Sequence, residues 1–356
     1  MENRNNSSGL PGPTTPENDW ITLLKDNRRS GGQTAQPLQA PVRARWHLRM
    51  GNSIRSAPVL REGTLYVVSV AGALHAISAE SGALKFKFQA GGPVHSTPAL
   101  TGNKVIFGCD NGRVYTVDRI SGGKLWEAAA GAEVWTSPVV RNGIVFFGSA
   151  DGAMYAVEAE TGKLQWKRML GGRVYSTAYA AEKKIYVGCG DANVYCVDAG
   201  SGKIEWKAPT GKGIDSSPAV EGDVVLIGSE DFFFYALNAN DGSVKWKYET
   251  ALGIASSPAI SGELAFIGSK DGYLYALEIA SGQMRWKTQV GQVITAPPVA
   301  GESVIYIQSG GTHALDRATG KVLWRAGLGS SVQAVPVISG KSIYVASNDG
   351  ELYALE

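Results

Sequence analysis

Apolar and polar residues alternate along most of this chain in runs of five to seven residues, and short polar connections separate the runs. The stretch 134–169 shows the pattern clearly, with the runs VWTSPVV, GIVFFGS, AMYAVEA and KLQWKRM separated by RN, ADG and ETG. Alternation with a period of two predicts β-strands, and Asn, Asp and Gly in the connections predict tight turns. The stretch therefore predicts four antiparallel strands joined as a meander.

The same unit recurs through the chain, and two markers count it. The first marker is a large aromatic residue in the fourth predicted strand, found at Trp46, Phe86, Trp126, Trp166, Trp206, Trp246, Trp286 and Trp324. The second marker is a Ser- or Thr-rich step that ends in proline, found at Pro58, Pro98, Pro138, Pro218, Pro258, Pro298 and Pro336, with Ala178 in the same place in the remaining unit. The aromatic markers are forty residues apart six times and then thirty-eight, which gives eight units. Four-stranded units of this length are typical of β-propeller blades, in which each aromatic side chain packs between neighbouring sheets.

The two ends of the chain are complementary. The last unit stops at ELYALE, after three predicted strands, and the missing fourth strand is present near the N-terminus as VRARWHL around Trp46. A ring in which the N-terminal strand completes the C-terminal blade accounts for both ends and removes exposed sheet edges. The sequence therefore predicts an all-β, eight-bladed propeller over residues 41–356, preceded by a polar, largely disordered arm over residues 1–40. An open solenoid is the disfavoured alternative.

Composition and charge narrow the functional classes. The 356 residues include 44% hydrophobic and 19% charged ones, and the formal net charge is only +2. No run of Lys or Arg marks a nucleic-acid surface, and no stretch approaches the roughly 18 consecutive apolar residues of a membrane helix. We therefore expect no nucleic-acid partner and no membrane span.

The segment that closes each unit carries the motif A-x-[D/E/N]-x-x-[T/S/D]-G-x-x-x-W. It is complete from Ala156 to Trp166 and returns around Asp198–Trp206, Asn238–Trp246, Glu278–Trp286 and Asp316–Trp324. This motif resembles the tryptophan-docking repeat of the pyrroloquinoline-quinone (PQQ)-type eight-bladed propellers, and the resemblance covers about residues 46–356. That family includes quinoprotein dehydrogenases, which use PQQ and calcium, and non-catalytic propellers such as the BamB type. The resemblance therefore implies the fold and leaves the activity open.

The sequence leaves the cellular compartment of the protein open as well. The resemblance favours the periplasm or another extracytoplasmic compartment. The N-terminal sequence MENRNNSSGLPGPTTPEND lacks the basic and apolar regions of a signal peptide, which favours a cytoplasmic or a processed protein.

Several features disfavour the dehydrogenase alternative. Every unit has thirty-eight or forty residues, so there is no inserted loop to cover a substrate pocket. The chain lacks the adjacent Cys-Cys pair that the resemblance to the alcohol dehydrogenases would require, and no set of Glu, Asn and Asp matches calcium ligands by motif. The four histidines stand singly, without metal-ligand spacing, at His47, His75, His95 and His313. We expect no catalytic residues, no metal and no PQQ, and we keep a PQQ- and calcium-dependent dehydrogenase, or a propeller that binds a small ligand, as the alternative.

Three cysteines, Cys109, Cys189 and Cys196, are too few for a disulfide framework. In the predicted hairpin GCGDANVYC, Cys189 pairs with Asn193 and Cys196 with Tyr186. Successive side chains of a strand point to opposite faces of the sheet, so Cys189 and Cys196 should face opposite sides of the hairpin. The sequence predicts three free, buried thiols.

Function is expected where the repeat fails. In each unit a constant Ile or Val precedes a residue that varies, and this variable place is called here the mouth position; its occupants are Arg55, His95, Trp135, Tyr175, Asp215, Ala255, Thr295 and Gln333. The mouth position begins the innermost strand of a blade, so these residues should ring one mouth of the central channel. The turns between the second and third strands should lie on the same face, where Phe232 and Phe233 replace the usual Gly and a small or polar residue.

These observations lead to a functional hypothesis. Aromatic, Arg and Asp side chains grouped on one face are typical of a binding patch, although neutral drift of solvated loops would also vary these positions. The sequence predicts a monomeric, non-catalytic binding or scaffolding propeller of the BamB class, which contacts a protein or peptide partner through the mouth.

Overall fold

A computed structural model of the protein describes residues 43–291, 293–327 and 334–356. These residues form thirty-two strands in eight four-stranded antiparallel sheets, and none of the described ranges contains a helix long and apolar enough to cross a membrane. The arm predicted for residues 1–40 and the mouth position Gln333 lie outside the described residues.

The first four blades follow the chain in order, each with a short innermost strand and three longer ones. Blade 1 contains β2–β5 at Val59–Arg61, Thr64–Val68, Ala73–Ser78 and Leu84–Gln89. Blade 2 contains β6–β9 at Ala99–Thr101, Lys104–Cys109, Arg113–Asp118 and Lys124–Ala129. Blade 3 contains β10–β13 at Val139–Arg141, Ile144–Gly148, Ala153–Glu158 and Leu164–Met169. Blade 4 contains β14–β17 at Tyr179–Ala180, Lys184–Cys189, Asn193–Asp198 and Ile204–Pro209.

The next three blades repeat this order, and the eighth takes its outer strand from the N-terminal side. Blade 5 contains β18–β21 at Ala219–Glu221, Val224–Gly228, Phe233–Asn238 and Val244–Glu249. Blade 6 contains β22–β25 at Ala259–Ser261, Leu264–Gly268, Tyr273–Glu278 and Met284–Gln289. Blade 7 contains β26–β29 at Val299–Ala300, Val304–Gln308, Thr312–Asp316 and Val322–Ala326. Blade 8 contains β30–β32 at Val337–Ser339, Ser342–Ala346 and Glu351–Leu355, with β1 at Ala44–Arg49.

Closure of the ring by the N-terminal strand is confirmed. Strand β1 pairs with β32 in antiparallel register, and Trp46 lies opposite Ala354. The Trp46 indole donates a hydrogen bond of 3.1 Å to the carbonyl of Ala79 in blade 1. One continuous core cluster contains buried residues of blades 7, 8 and 1, with Trp46 and Leu48 packed against it. The first and last parts of the chain thus form one blade, and this blade packs against both of its neighbours.

The repeated aromatic and glycine of the motif fit each other across neighbouring blades. The Trp166 indole donates a hydrogen bond of 2.9 Å to the carbonyl of Ala199 in blade 4. The same ring covers Gly202, where an added Cβ would stand 2.7 Å from the indole and where φ is +69°. A side chain at this glycine would therefore both clash and strain the backbone. The motif therefore keeps its Trp and Gly at fixed places because the indole of one blade packs on the glycine of the next blade.

The Ser- and Thr-rich step also acts between blades. Its hydroxyl groups accept hydrogen bonds from backbone amides forty residues earlier, as in Thr97 N–H to Ser137 Oγ at 2.9 Å and Ser137 N–H to Thr177 Oγ1 at 3.0 Å. The ladder continues from the amide of Thr177 to Ser217 Oγ at 2.9 Å. These hydroxyls are buried, and each satisfies an amide that would otherwise lack a partner near the channel.

The three cysteines are free and fully buried, as the sequence predicts. Cys189 lies opposite Asn193 and Cys196 opposite Tyr186, in the expected register. Cys189 packs in the cluster shared with blade 3, whereas Cys196 packs in the cluster shared with blade 5. Burial raises the pKa of Cys189 to about 11, and burial together with Glu205 raises the pKa of Cys196 to about 12.

We expect these thiols to react only after unfolding, because buried, protonated thiols are weak nucleophiles at neutral pH. Alkylation without reductant, followed by intact mass measurement, should add three labels in denaturant and none to the native protein during a short exposure. A count of one label in denaturant would mean that two cysteines are bridged and would contradict the packing on opposite faces.

Candidate functional site

Backbone hydrogen bonds assemble one mouth of the channel. The approach segment is defined here as the chain between the outermost strand of one blade and the innermost strand of the next. In the approach segment of blade 3, the backbone amide of the buried Val134 donates a hydrogen bond of 3.1 Å to the carbonyl of Cys109 in blade 2. The carbonyl of Glu133, in the same segment, accepts a hydrogen bond of 2.9 Å from the amide of Ala150 in the turn of blade 3. The mouth position Trp135 is thereby held between two turns. The pattern repeats around the ring, so the mouth positions and the turns between second and third strands share one face.

An aromatic arc spans blades 2, 3 and 4 at this face. The rings of Trp135 and Tyr175 are stacked, with centroids 5.0 Å apart and planes 19° apart. His95 tilts against the other side of Trp135, with centroids 5.6 Å apart. The Trp135 side chain remains 43% exposed, in contrast to the buried docking residue Trp166 at 9%. The two tryptophans show that the same residue type serves the core in one place and the surface in another.

Asp110, in the blade 2 turn, orients the aromatic arc. Its carboxylate lies 3.4 Å from Nε2 of His95, in the same blade, and next to the Trp135 side chain, which lowers the pKa of the carboxyl. Burial lowers the pKa of His95, and Arg55 adds to this effect while Asp110 opposes it. Burial raises the pKa of Asp110, although His95 and Trp135 counteract the change. The imidazole of His95 is therefore neutral at pH 7, and the arc presents ring faces beside one carboxylate.

Blades 5 and 6 carry a second polar group on the same face. Lys270 Nζ lies 2.6 Å from Oε1 of Glu230. This ion pair links the turns of blades 5 and 6 across the small mouth residue Ala255. Asp215 is exposed to the channel, yet the surrounding protein raises its pKa by displacing water, and Glu230 raises the pKa further while Lys270 opposes the rise. Asp215 therefore adds a carboxylate beside the Glu230–Lys270 ion pair.

The remaining predicted residues are spread around the ring. Arg55 and Thr295 are exposed at their mouth positions in blades 1 and 7, outside the aromatic arc. Phe232 and Phe233 are half-buried. Lys212 Nζ lies 4.8 Å from the ring centroid of Phe232, and Lys247 Nζ lies 4.2 Å from that of Phe233.

Phe232 has a strained backbone. Its φ is +80°, close to the +84° of Gly152 at the same place in blade 3. Bulky residues rarely adopt this left-handed conformation, and such outliers cost of order 1–3 kcal/mol. The carbonyl of Phe232 accepts two hydrogen bonds from Thr250, through the amide at 2.8 Å and through Oγ1 at 2.9 Å, which help to hold the turn.

Sequence reasoning about the mouth positions missed Asp110 and Lys270. Both occupy the residue after the Ser or Cys that ends the second strand, a place that varies as widely as the mouth position. That variation is the signal that could have identified them. Within the described residues, no group of three or more His, Cys, Asp and Glu side chains could hold a metal ion.

Eight four-stranded blades, docking tryptophans and closure by the N-terminal strand define the class of PQQ-type eight-bladed propellers. Within that class, the family described as outer membrane protein assembly factor BamB matches residues 36–119, 106–172 and 166–356. The chain belongs to this family. Among curated proteins, no sequence matches the chain.

Solved structures share the fold at low sequence identity. The crystal structure of BamB from Moraxella catarrhalis has a TM-score of 0.77 and 15% identity, over 88% of this chain and 99% of that one. The quinohemoprotein alcohol dehydrogenase from Comamonas testosteroni has a TM-score of 0.82 and 16% identity, over 95% of this chain and 80% of that one. The computationally designed Ika8 protein has a TM-score of 0.77 and 18% identity, over 86% of this chain and 96% of that one. An assembly-family protein, an enzyme and a designed protein share this architecture, so these similarities concern the fold alone.

Proposed function

We propose that this protein is a non-catalytic binding or scaffolding propeller that recognises a protein or peptide partner at the mouth. The observation that carries the proposal is the stack of the exposed Trp135 on the half-buried Tyr175, at positions where no repeat requirement calls for aromatic side chains. Large aromatic residues that stay partly exposed at the centre of a face are typical interface hot spots. The description of the family as an assembly factor supports a protein partner.

The quinoprotein alternative fits the mouth poorly. PQQ carries three carboxylates, and a site for it needs cationic or hydrogen-bond-donating side chains. Here the carboxylates of Asp110, Asp215 and Glu230 lie at the mouth, Lys270 is already paired with Glu230, and Arg55 and Arg173 are the remaining described cations among the mouth places. The stacked faces of Trp135 and Tyr175 also cover each other, which leaves less ring surface for a planar cofactor. We therefore derive no redox step for this chain.

Reconstitution tests the alternative directly. The full chain incubated with PQQ and calcium should show no bound quinone absorbance after desalting and no dye-coupled oxidation of alcohols or sugars. Stoichiometric quinone binding together with turnover would overturn the non-catalytic proposal.

A double variant tests the mouth as a binding face. Trp135→Ala with Tyr175→Ala should weaken partner binding by roughly 2 kcal/mol or more, the range of an interface hot spot. The unfolding free energy should change little, since surface substitutions usually stay within about 0.5 kcal/mol. The measurement is pull-down from a lysate of the native host with equal amounts of folded protein, followed by titration of the captured partner.

The matched control is Ile120→Ala, because Ile120 is a large apolar residue with 65% exposure in a turn between third and fourth strands, on the opposite face. It should leave binding unchanged. Identical partner sets for the wild-type and double-variant proteins would show that the mouth is ordinary solvated surface.

A further inference from the structure

The mouth has an excess of negative charge that the rest of the chain lacks. Three places in each blade are counted as the mouth: the mouth position, the residue two before it, and the first residue of the turn between the second and third strands. Among the described residues, these places hold the acidic side chains of Asp110, Glu133, Asp215 and Glu230 and the basic side chains of Arg55, Arg173 and Lys270. Four carboxylates and three cations give a net charge of −1, whereas the whole chain carries +2. Lys212, three residues before the mouth position of blade 5, is outside this count, and its Nζ lies over the Phe232 ring. The mouth is thus more acidic than the protein around it.

The carboxylates differ in how far they are compensated. Glu230 is paired with Lys270 at 2.6 Å, and Asp110 lies 3.4 Å from Nε2 of His95. Asp215 forms no hydrogen bond or ion pair with any residue in the described parts of the chain, and the charged groups that act on it are the carboxylate of Glu230 and the ammonium of Lys270, which are paired with each other. A carboxylate in this environment gains more from an incoming cation than one already paired.

Aromatic residues occupy the two mouth positions that precede Asp215 around the ring. Tyr175 occupies the same mouth position one blade before Asp215, and Trp135 stacks on Tyr175 at 5.0 Å. The ring face of an aromatic residue attracts cations, most strongly for Trp, and a planar guanidinium stacks on it well. Arg173 NH1 already contacts the Tyr175 hydroxyl at 3.2 Å, so the chain itself places a guanidinium at the edge of this ring.

We propose that Trp135, Tyr175 and Asp215 form a recognition site for a basic side chain, preferentially an arginine, in an extended segment of the partner protein. The inference rests on the proposed function and specifies the chemistry of the partner. The guanidinium would lie against the exposed part of the Trp135–Tyr175 stack and donate hydrogen bonds to the Asp215 carboxylate. A partner segment, rather than a free cation, is the occupant, because a net charge of −1 holds a lone cation weakly and the arc across blades 2–4 offers further contacts to a peptide.

Two peptide probes of the same shape test the charge requirement. One is acetyl-Gly-Arg-Gly-amide, and the other replaces arginine with citrulline, which is nearly isosteric and uncharged. Titration of the full chain, followed through the NMR signal of the Trp135 indole N–H assigned with Trp135→Phe, should show millimolar binding of the arginine peptide. The citrulline peptide should bind about tenfold more weakly, and added salt should weaken the arginine peptide selectively. Equal affinity of the two peptides, or no binding of the arginine peptide at tens of millimolar, would overturn the inference.

Asp215→Asn tests the named carboxylate, and Glu221→Gln is its control, because Glu221 is an exposed carboxylate on the opposite face of the same blade. Asp215→Asn should weaken the arginine peptide about fivefold and leave the citrulline peptide unchanged, whereas Glu221→Gln should change neither. Unchanged arginine-peptide binding in Asp215→Asn would overturn the site. Methylguanidinium that binds as tightly as the peptide would overturn the choice of a segment as the ligand.

The experiments distinguish a failure of the proposed function from a failure of the cation-site inference. If partner capture needs Trp135 and Tyr175 but is the same in Asp215→Asn, the binding face stands and the cation inference is wrong. If the arginine peptide binds and responds to Asp215→Asn but capture does not depend on the aromatic pair, the cation site stands and the proposed function is wrong.

Discussion

Removing residues 1–49 should lower the free energy of unfolding by about 5 kcal/mol or more and should cause the protein to associate. The truncation deletes β1 and with it Trp46, a half-buried side chain that packs against the core cluster of blades 7, 8 and 1 and donates a hydrogen bond to Ala79. It also leaves β32 as an unpaired strand edge, which can template pairing with another molecule. Denaturant unfolding and size-exclusion chromatography measure both effects.

Removing only residues 1–18 is the control. That stretch is polar and contains Pro, Gly, Ser and Asn, a composition that rarely contributes to a packed core, so we expect no change in unfolding. A monomeric 50–356 fragment that melts within a few degrees of the full chain would contradict closure by β1.

The substitution Trp166→Ala should destabilise the protein by roughly 3–5 kcal/mol, because it leaves a cavity between blades 3 and 4. The ring is 9% exposed, lies with its centroid 5.9 Å from that of Phe146, and donates to the carbonyl of Ala199. Its removal also leaves that carbonyl without its indole donor. Denaturant unfolding with a fitted slope gives the change directly.

Trp135→Ala is the matched control, since it removes the same side chain from an exposed position. We expect less than about 0.5 kcal/mol for it. Equal effects of the two substitutions, or a loss below about 1 kcal/mol for Trp166→Ala, would mean that the docking role of the repeated tryptophan is wrong.

The sequence predicted the fold well because the repeat carries the same physical requirement eight times. The spacing of Trp166 and Gly202 reflects one docking contact, and the strand at Trp46 was recognisable as the partner of ELYALE because it completes the count. Register within a blade also follows from the alternation of side chains, as for Cys189 opposite Asn193.

The candidate site was predictable only in outline. Variation at the mouth position identified Trp135 and Tyr175, but their stacking depends on rotamers and on side chains that differ from one unit to the next. The Glu230–Lys270 ion pair across Ala255 joins equivalent turn positions of neighbouring blades, and opposite charges meet at this position only because these two units differ there. The left-handed φ of Phe232 was not predicted either, because the sequence shows an aromatic pair and gives no sign that the backbone keeps the glycine conformation.

Site-specific photocrosslinking tests most directly whether binding occurs where the repeat fails. A benzophenone amino acid is placed at Trp135 in one protein and at Ile120 in another, and both full-length proteins are irradiated in the native host. We predict a discrete covalent adduct from position 135 and none from position 120, with the adduct lost when Tyr175→Ala is added. Adducts from position 120 alone, or the same adducts from both positions, would contradict the assignment of the mouth as the binding face.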